Sequence, residues 1–119
     1  MQKILLAEDD GDMRSFLVRA LENAGYEVTS FDNGLSAYNR LCEESYTLLL
    51  TDIVMPEMDG IELARRATEL DPEIKVMFIT GFAAVALNPD SNAPKNAKVL
   101  SKPFHLRDLV SQVERMLAA

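Results

Sequence analysis

The chain has 119 residues, 48% hydrophobic and 26% charged, a length and composition that suit one globular domain spanning residues 1–119 and exclude disordered and fibrous classes. A net charge of −7 argues against a nucleic-acid-binding face, a single cysteine (Cys42) permits no internal disulfide, and a single histidine (His105) argues against a His/Cys zinc site. No apolar run is long enough to span a bilayer or to act as a signal peptide, so a cytoplasmic domain without an attached output module is expected.

Ile4-Leu5-Leu6-Ala7 is short, continuous and apolar, the pattern of a strand buried on both faces. Asp10 or Asp12 can cap the helix that follows, in which Met13, Phe16, Leu17, Ala20, Leu21 and Ala24 recur at helical spacing as far as Gly25. Tyr26 to Ser30 alternates like a half-exposed edge strand, Asp32-Asn33-Gly34 is turn chemistry, and Leu35 to Cys42 makes a short helix. Leu48-Leu49-Leu50 is the next buried strand, and a helix from about Gly60 to Leu70 stops before Asp71-Pro72. Val76 to Ile79 and Ala97 to Leu100 are the fourth and fifth strands. Leu106, Leu109, Val110, Val113, Met116 and Leu117 stripe a closing helix. Between the fourth and fifth strands, Pro89, Pro94 and three asparagines leave room for a turn or two of helix, from about Phe82 to Leu87. They predict that the stretch from Asn88 to Asn96 is mobile, or at least not helical. This alternation predicts an α/β fold with one parallel sheet and helices on both faces, because parallel strands need crossover connections.

In such sheets ligands bind beyond the carboxyl ends of the strands. The first strand ends in Glu8-Asp9-Asp10, the third in Asp52, the fourth in Thr80-Gly81 and the fifth in Ser101-Lys102-Pro103. Taken singly, a loop acid is more often a helix cap, a strand-end lysine is usually just exposed, and Thr80 is an ordinary strand-end hydroxyl. Together they bring acids, a hydroxyl and a lysine to one edge. If the first and third strands are neighbours, Glu8, Asp9 and Asp52 repel one another, and Lys102 offsets part of that repulsion. A hard divalent cation, Mg²⁺, would offset the rest. A carboxylate so placed can attack phosphorus, which makes Asp52 a candidate phosphoacceptor with Thr80 and Lys102 on the phosphoryl oxygens.

The segments Ile4-Leu-Leu-Ala-Glu-Asp-Asp10, Leu50-Thr-Asp-Ile-Val-Met-Pro-Glu-Met-Asp-Gly60, Ile79-Thr-Gly81 and Leu100-Ser-Lys-Pro-Phe104 resemble the receiver domain of two-component response regulators, a CheY-like, flavodoxin-like fold. The resemblance covers essentially the whole chain. It implies strand order 2-1-3-4-5, phosphorylation of Asp52, and a metal held by Glu8, Asp9, Asp52 and the backbone carbonyl of Val54. It also implies that Thr80 and Lys102 ligate the phosphoryl group, and that the Lys102-Pro103 bond is cis. Pro103 and Phe104 complete the last motif and are expected at a binding surface. The implied donor is a histidine kinase or a histidine phosphotransfer protein.

Two positions depart from the family. Receivers usually carry an aromatic residue three positions before the lysine, where this chain has Val99, so a switch running from Thr80 to that position cannot take its usual form. The Pro-rich stretch replaces much of the usual fourth helix, which is expected short or disordered. Single-domain members with this pattern are linked to regulated proteolysis as adaptors for ClpXP, which makes the ClpX unfoldase an expected partner. The terminal Leu117-Ala118-Ala119 resembles a tail that this protease reads. An output-free interaction switch, not a turnover enzyme, is therefore the leading expectation, and a partnerless phosphate sink is the alternative. An aspartate-nucleophile phosphatase would want a second acid where Val54 stands, and a flavin-binding loop would not carry Glu8-Asp9-Asp10.

Overall fold

The apolar strands run through the middle of a parallel sheet. The computed structural model describes residues 2–81, 88 and 90–118. In chain order the elements are β1 (Lys3–Ala7), α1 (Gly11–Asn23), β2 (Glu27–Phe31), α2 (Gly34–Glu43), β3 (Leu48–Thr51), α3 (Gly60–Leu70), β4 (Lys75–Thr80), β5 (Lys98–Ser101) and α4 (Leu106–Leu117). The strand order is β2-β1-β3-β4-β5, as the resemblance implies, and every pair is parallel, as the alternation of elements predicts.

Because strand side chains alternate between faces, each interior strand feeds two cores. Leu5, Leu49 and Phe78 pack with Leu63, Ala64 and Ala67 of α3 and Ala37 of α2. Ile4, Leu6, Leu50 and Ile79 pack on the opposite face with Leu17 and Leu21 of α1 and Leu109 and Val113 of α4. This two-sided burial is why β1, β3 and β4 read as unbroken apolar runs, while β2 and β5, at the edges, do not.

Local chemistry fixes the helix starts. The Asp10 side chain accepts from the Met13 N–H at 3.0 Å, Asn33 from Ser36 at 2.8 Å and Asp59 from Glu62 at 2.8 Å. Asp10, not Asp12, is thus the cap of α1. Gly25 takes φ 100°, a left-handed conformation that suits glycine after a helix end. Tyr26 N–H turns back to the Leu21 carbonyl at 3.2 Å, so β2 starts one residue later than its alternation suggested.

The helix expected from Phe82 to Leu87 lies outside the described residues, as does Ala119. Asn88 and residues 90–96 are non-helical. The Asn88 side chain accepts from the Asp90 N–H at 2.9 Å, and the Asn88 carbonyl accepts from the Ser91 N–H at 2.9 Å. These are turn bonds of the kind asparagine offers in place of a helix. No described helix is long and apolar enough to cross a membrane.

Candidate functional site

Strand register brings the polar residues to one edge. Ala7 lies beside Thr51, Thr51 beside Phe78, and Thr80 beside Ser101, so the residues just past β1, β3 and β5 meet the end of β4. Backbone bonds continue the alignment beyond the strands. The Asp52 N–H donates to the Ala7 carbonyl at 3.0 Å and the Lys102 N–H to the Thr80 carbonyl at 2.8 Å.

Lys102 is the centre of the arrangement. Its Nζ donates to Asp52 Oδ2 at 2.7 Å and to Glu8 Oε1 at 3.0 Å, joining the residues just past β5, β3 and β1. Glu8 and Thr80 have no solvent exposure and Asp52 only 8%. Asp9 is exposed beside them, and one carboxylate oxygen from each of Glu8, Asp9 and Asp52 lies within 4.8 Å of the others. One lysine faces three carboxylates.

The electrostatics follow from burial. The Glu8 carboxyl is pushed above its usual range chiefly by desolvation, with Asp52 adding to the rise; the Asp10 N–H, bonded to Glu8 Oε2 at 3.1 Å, and Lys102 oppose it. Burial alone would lower the Lys102 ammonium, but its bonds to Asp52 and Glu8 outweigh burial and raise it. Lys102 therefore stays charged at neutral pH. The donor set, three hard carboxylates incompletely neutralised by one ammonium, fits a divalent cation such as Mg²⁺.

The supporting contacts were not legible in advance. The Ile53 N–H donates to Asp52 Oδ1 at 2.6 Å and fixes the carboxylate plane. Arg14 Nη1 donates to the Glu8 carbonyl at 2.8 Å, tying α1 to the loop. The Gly60 N–H donates to the Ile53 carbonyl at 2.7 Å, and a Cβ at Gly60 would lie 1.8 Å from the Asp52 carbonyl oxygen. Gly60 read as a helix start; its second role, letting α3 approach the loop after β3, needed the tertiary structure.

The remaining expected residues fall around this centre. Val54, two residues past Asp52, is well exposed. Val99 is half-buried against the core shared with α2 and α3. The Lys102-Pro103 bond is cis, Pro103 is exposed, and Phe104 packs half-buried against the core shared with α1 and α4. His105 precedes α4 without a side-chain capping bond.

Residues 4–114 match the response regulator receiver domain family. Over 119 residues the chain is 78% identical to the response regulator receiver protein CpdR of Brucella abortus (strain 2308), covering 100% of this chain and 99% of that protein. It is 39% identical to the sensor kinase CckA of the same organism over 96% of this chain, but spans only 12% of that larger protein. Among solved structures, the response regulator TrrA of Thermotoga maritima in complex with Mg²⁺-BeF is similar with a TM-score of 0.86 at 26% identity, over 98% of this chain and 100% of that one. With its sheet order and its acid–lysine edge, the chain belongs to the response regulator receiver domain family.

Proposed function

We propose that Asp52 accepts a phosphoryl group from the phosphohistidine of a histidine kinase or histidine phosphotransfer protein, and that the chain, without catalysing turnover, signals through contacts made in one phosphorylation state. The observation that carries this reading is Lys102 Nζ held between Asp52 and Glu8 on the edge where Thr80 ends β4. An Asp52 carboxylate oxygen attacks phosphorus, a P–O bond forms, the P–N bond breaks, and the electron pair leaves on the imidazole nitrogen. Lys102 shifts from the carboxylates toward the phosphoryl oxygens and the Thr80 hydroxyl donates to another, so charge that develops in transfer meets preplaced donors. The Ile53 N–H holds Asp52 in line. Glu8, Asp9, Asp52 and the backbone carbonyl of Val54 would hold Mg²⁺, which when bound neutralises phosphoryl charge.

Output would pass through the edge that includes Thr80, Val99, Pro103 and Phe104. The 78% identity to CpdR supports a single-domain regulator. A role as a ClpXP adaptor that engages the ClpX unfoldase carries over from the single-domain regulators that the sequence resembles. Incubation with acetyl phosphate, with and without EDTA, tests the acceptor by intact mass. One phosphoryl group per chain is expected with Mg²⁺ and none with EDTA, and a phosphoryl group on Asp52→Ala protein refutes the assignment. A pull-down with and without beryllofluoride tests the output, and identical captures in both states would leave a phosphate sink as the better reading.

A further inference from the structure

The amino-terminal edge of the sheet, opposite Asp52, holds a groove of about 410 Å³ between the starts of β4 and β5. Its floor is apolar: Ile74 and Val76 are buried, and Ala97 and Met116 half-buried. Its rim carries Lys75, Lys95 and Lys98, all exposed, against one acid, Glu73. The chain has five lysines. Lys102 is engaged by Glu8 and Asp52, and Lys3 by Glu44. The other three all line this groove and form no ion pair among the described residues. On a chain of net charge −7, that is a concentrated positive field over an apolar floor.

We propose that this groove docks an acidic, partly apolar peptide segment of a protein partner. Charge complementarity selects the occupant. A nucleotide or phosphate is a poor match, because no arginine or aromatic side chain lines the groove. Three lysines on flexible stems instead match carboxylates spaced along a chain, with an apolar side chain between them on the floor. β5 is an edge strand, so one side of its backbone has no strand partner among the described residues and can pair with an extended peptide. The proposal does not depend on phosphorylation of Asp52.

The test uses the full chain, ¹⁵N-labelled, titrated with a synthetic peptide alternating Glu and Leu, and with its Gln/Leu counterpart. The acidic peptide should shift the amides of Lys75, Ala97, Lys98 and Met116. Its affinity should fall about tenfold in Lys95→Glu/Lys98→Glu protein, whose dispersed spectrum shows it folded, and severalfold when NaCl rises from about 50 to about 300 mM. Equal binding of the Gln/Leu peptide, no shifts at these amides, or unchanged affinity in the double variant would overturn the proposal. So would inorganic phosphate shifting the same amides as strongly as the peptide. Asp52→Asn protein should bind the peptide unchanged, which separates this result from the fate of the phosphoacceptor reading.

Discussion

Replacing Lys102 with methionine removes the only side-chain cation hydrogen-bonded to the Glu8 and Asp52 carboxylates among the described residues and keeps the length of the aliphatic stem. Glu8 and Asp52 would then face each other buried, with Asp9 beside them. Removing one partner of a fully buried ion pair costs about 3–5 kcal/mol. Here the lysine side chain is 26% exposed, and the Ile53 and Asp10 N–H groups still bond the two acids, so the cost is discounted to about 2 kcal/mol in metal-free buffer. For a domain of this size that is a fall in Tm of roughly 6–10 °C. Urea denaturation at pH 7 in EDTA measures it. Glu8, already above the usual carboxylate range, rises further without Lys102, so the loss should shrink at mildly acid pH as Glu8 takes a proton. The same substitution in a Glu8→Gln/Asp52→Asn background should cost little, since no buried carboxylate is left unpaired. Lys102→Met protein as stable as the parent at pH 7, or an equal loss in both backgrounds, would refute the view that Lys102 holds the acids together.

The raised Glu8 carboxyl penalises the folded state once ionised, so its contribution makes metal-free stability fall as pH rises from the ordinary carboxyl value of 4.5 through the raised value. Urea midpoints for parent and Glu8→Gln protein across that window should converge at the acid end, with the variant flatter. The raised Lys102 ammonium acts in the opposite region: its stabilisation is complete below 10.5 and is lost as pH climbs through its higher folded value, which denaturation in alkaline buffer reads. Gly60→Ala should cost about 2–3 kcal/mol and slow phosphoryl acceptance, because the new methyl meets the Asp52 carbonyl oxygen, a backbone atom that cannot step aside; urea melts and intact mass check both. Asp9→Asn should raise the metal-free Tm slightly by relieving repulsion in the acid cluster and abolish most of the stabilisation seen on adding Mg²⁺; thermal melts with and without the ion decide it.

Much of this was legible because the relevant signals are local. Strands buried on two faces must be apolar throughout, so Leu48-Leu49-Leu50 announced itself, and Gly60 to Leu70 matched its helix at both ends because Asp59 caps one and Asp71-Pro72 stops the other. Residues just past parallel strands must share an edge, so the meeting of Glu8, Asp52, Thr80 and Lys102 followed once the strands were placed. What was not legible depends on distance between segments remote in sequence. That Arg14 reaches the Glu8 carbonyl, or that Gly60 must lack a side chain because of Asp52, is a property of helix placement to within about an ångström. The lysine groove was missed for the same reason: Lys75 and Lys98 are distant in the chain and become neighbours only through the pairing of β4 with β5.

Val99 constrains how a signal could leave the site. Valine has a stiff χ1 and no ring to swing, and here it is half-buried against the core beneath α2 and α3. Its strand is nevertheless bound to the chemistry at its far end. The Lys102 N–H donates to the Thr80 carbonyl at 2.8 Å while the same residue's Nζ holds Asp52. On the proposed chemistry, a phosphoryl group on Asp52 draws both the Lys102 ammonium and the Thr80 hydroxyl, and these two residues are joined through backbone. Any displacement is therefore delivered to β5 as a whole, four residues at the edge of the sheet with one side unpaired by strand among the described residues. A short edge strand gives way more readily than an interior one, because it has fewer ladder bonds to break. On the proposed chemistry, with valine at this position, β5 rather than the residue 99 side chain is the part expected to yield.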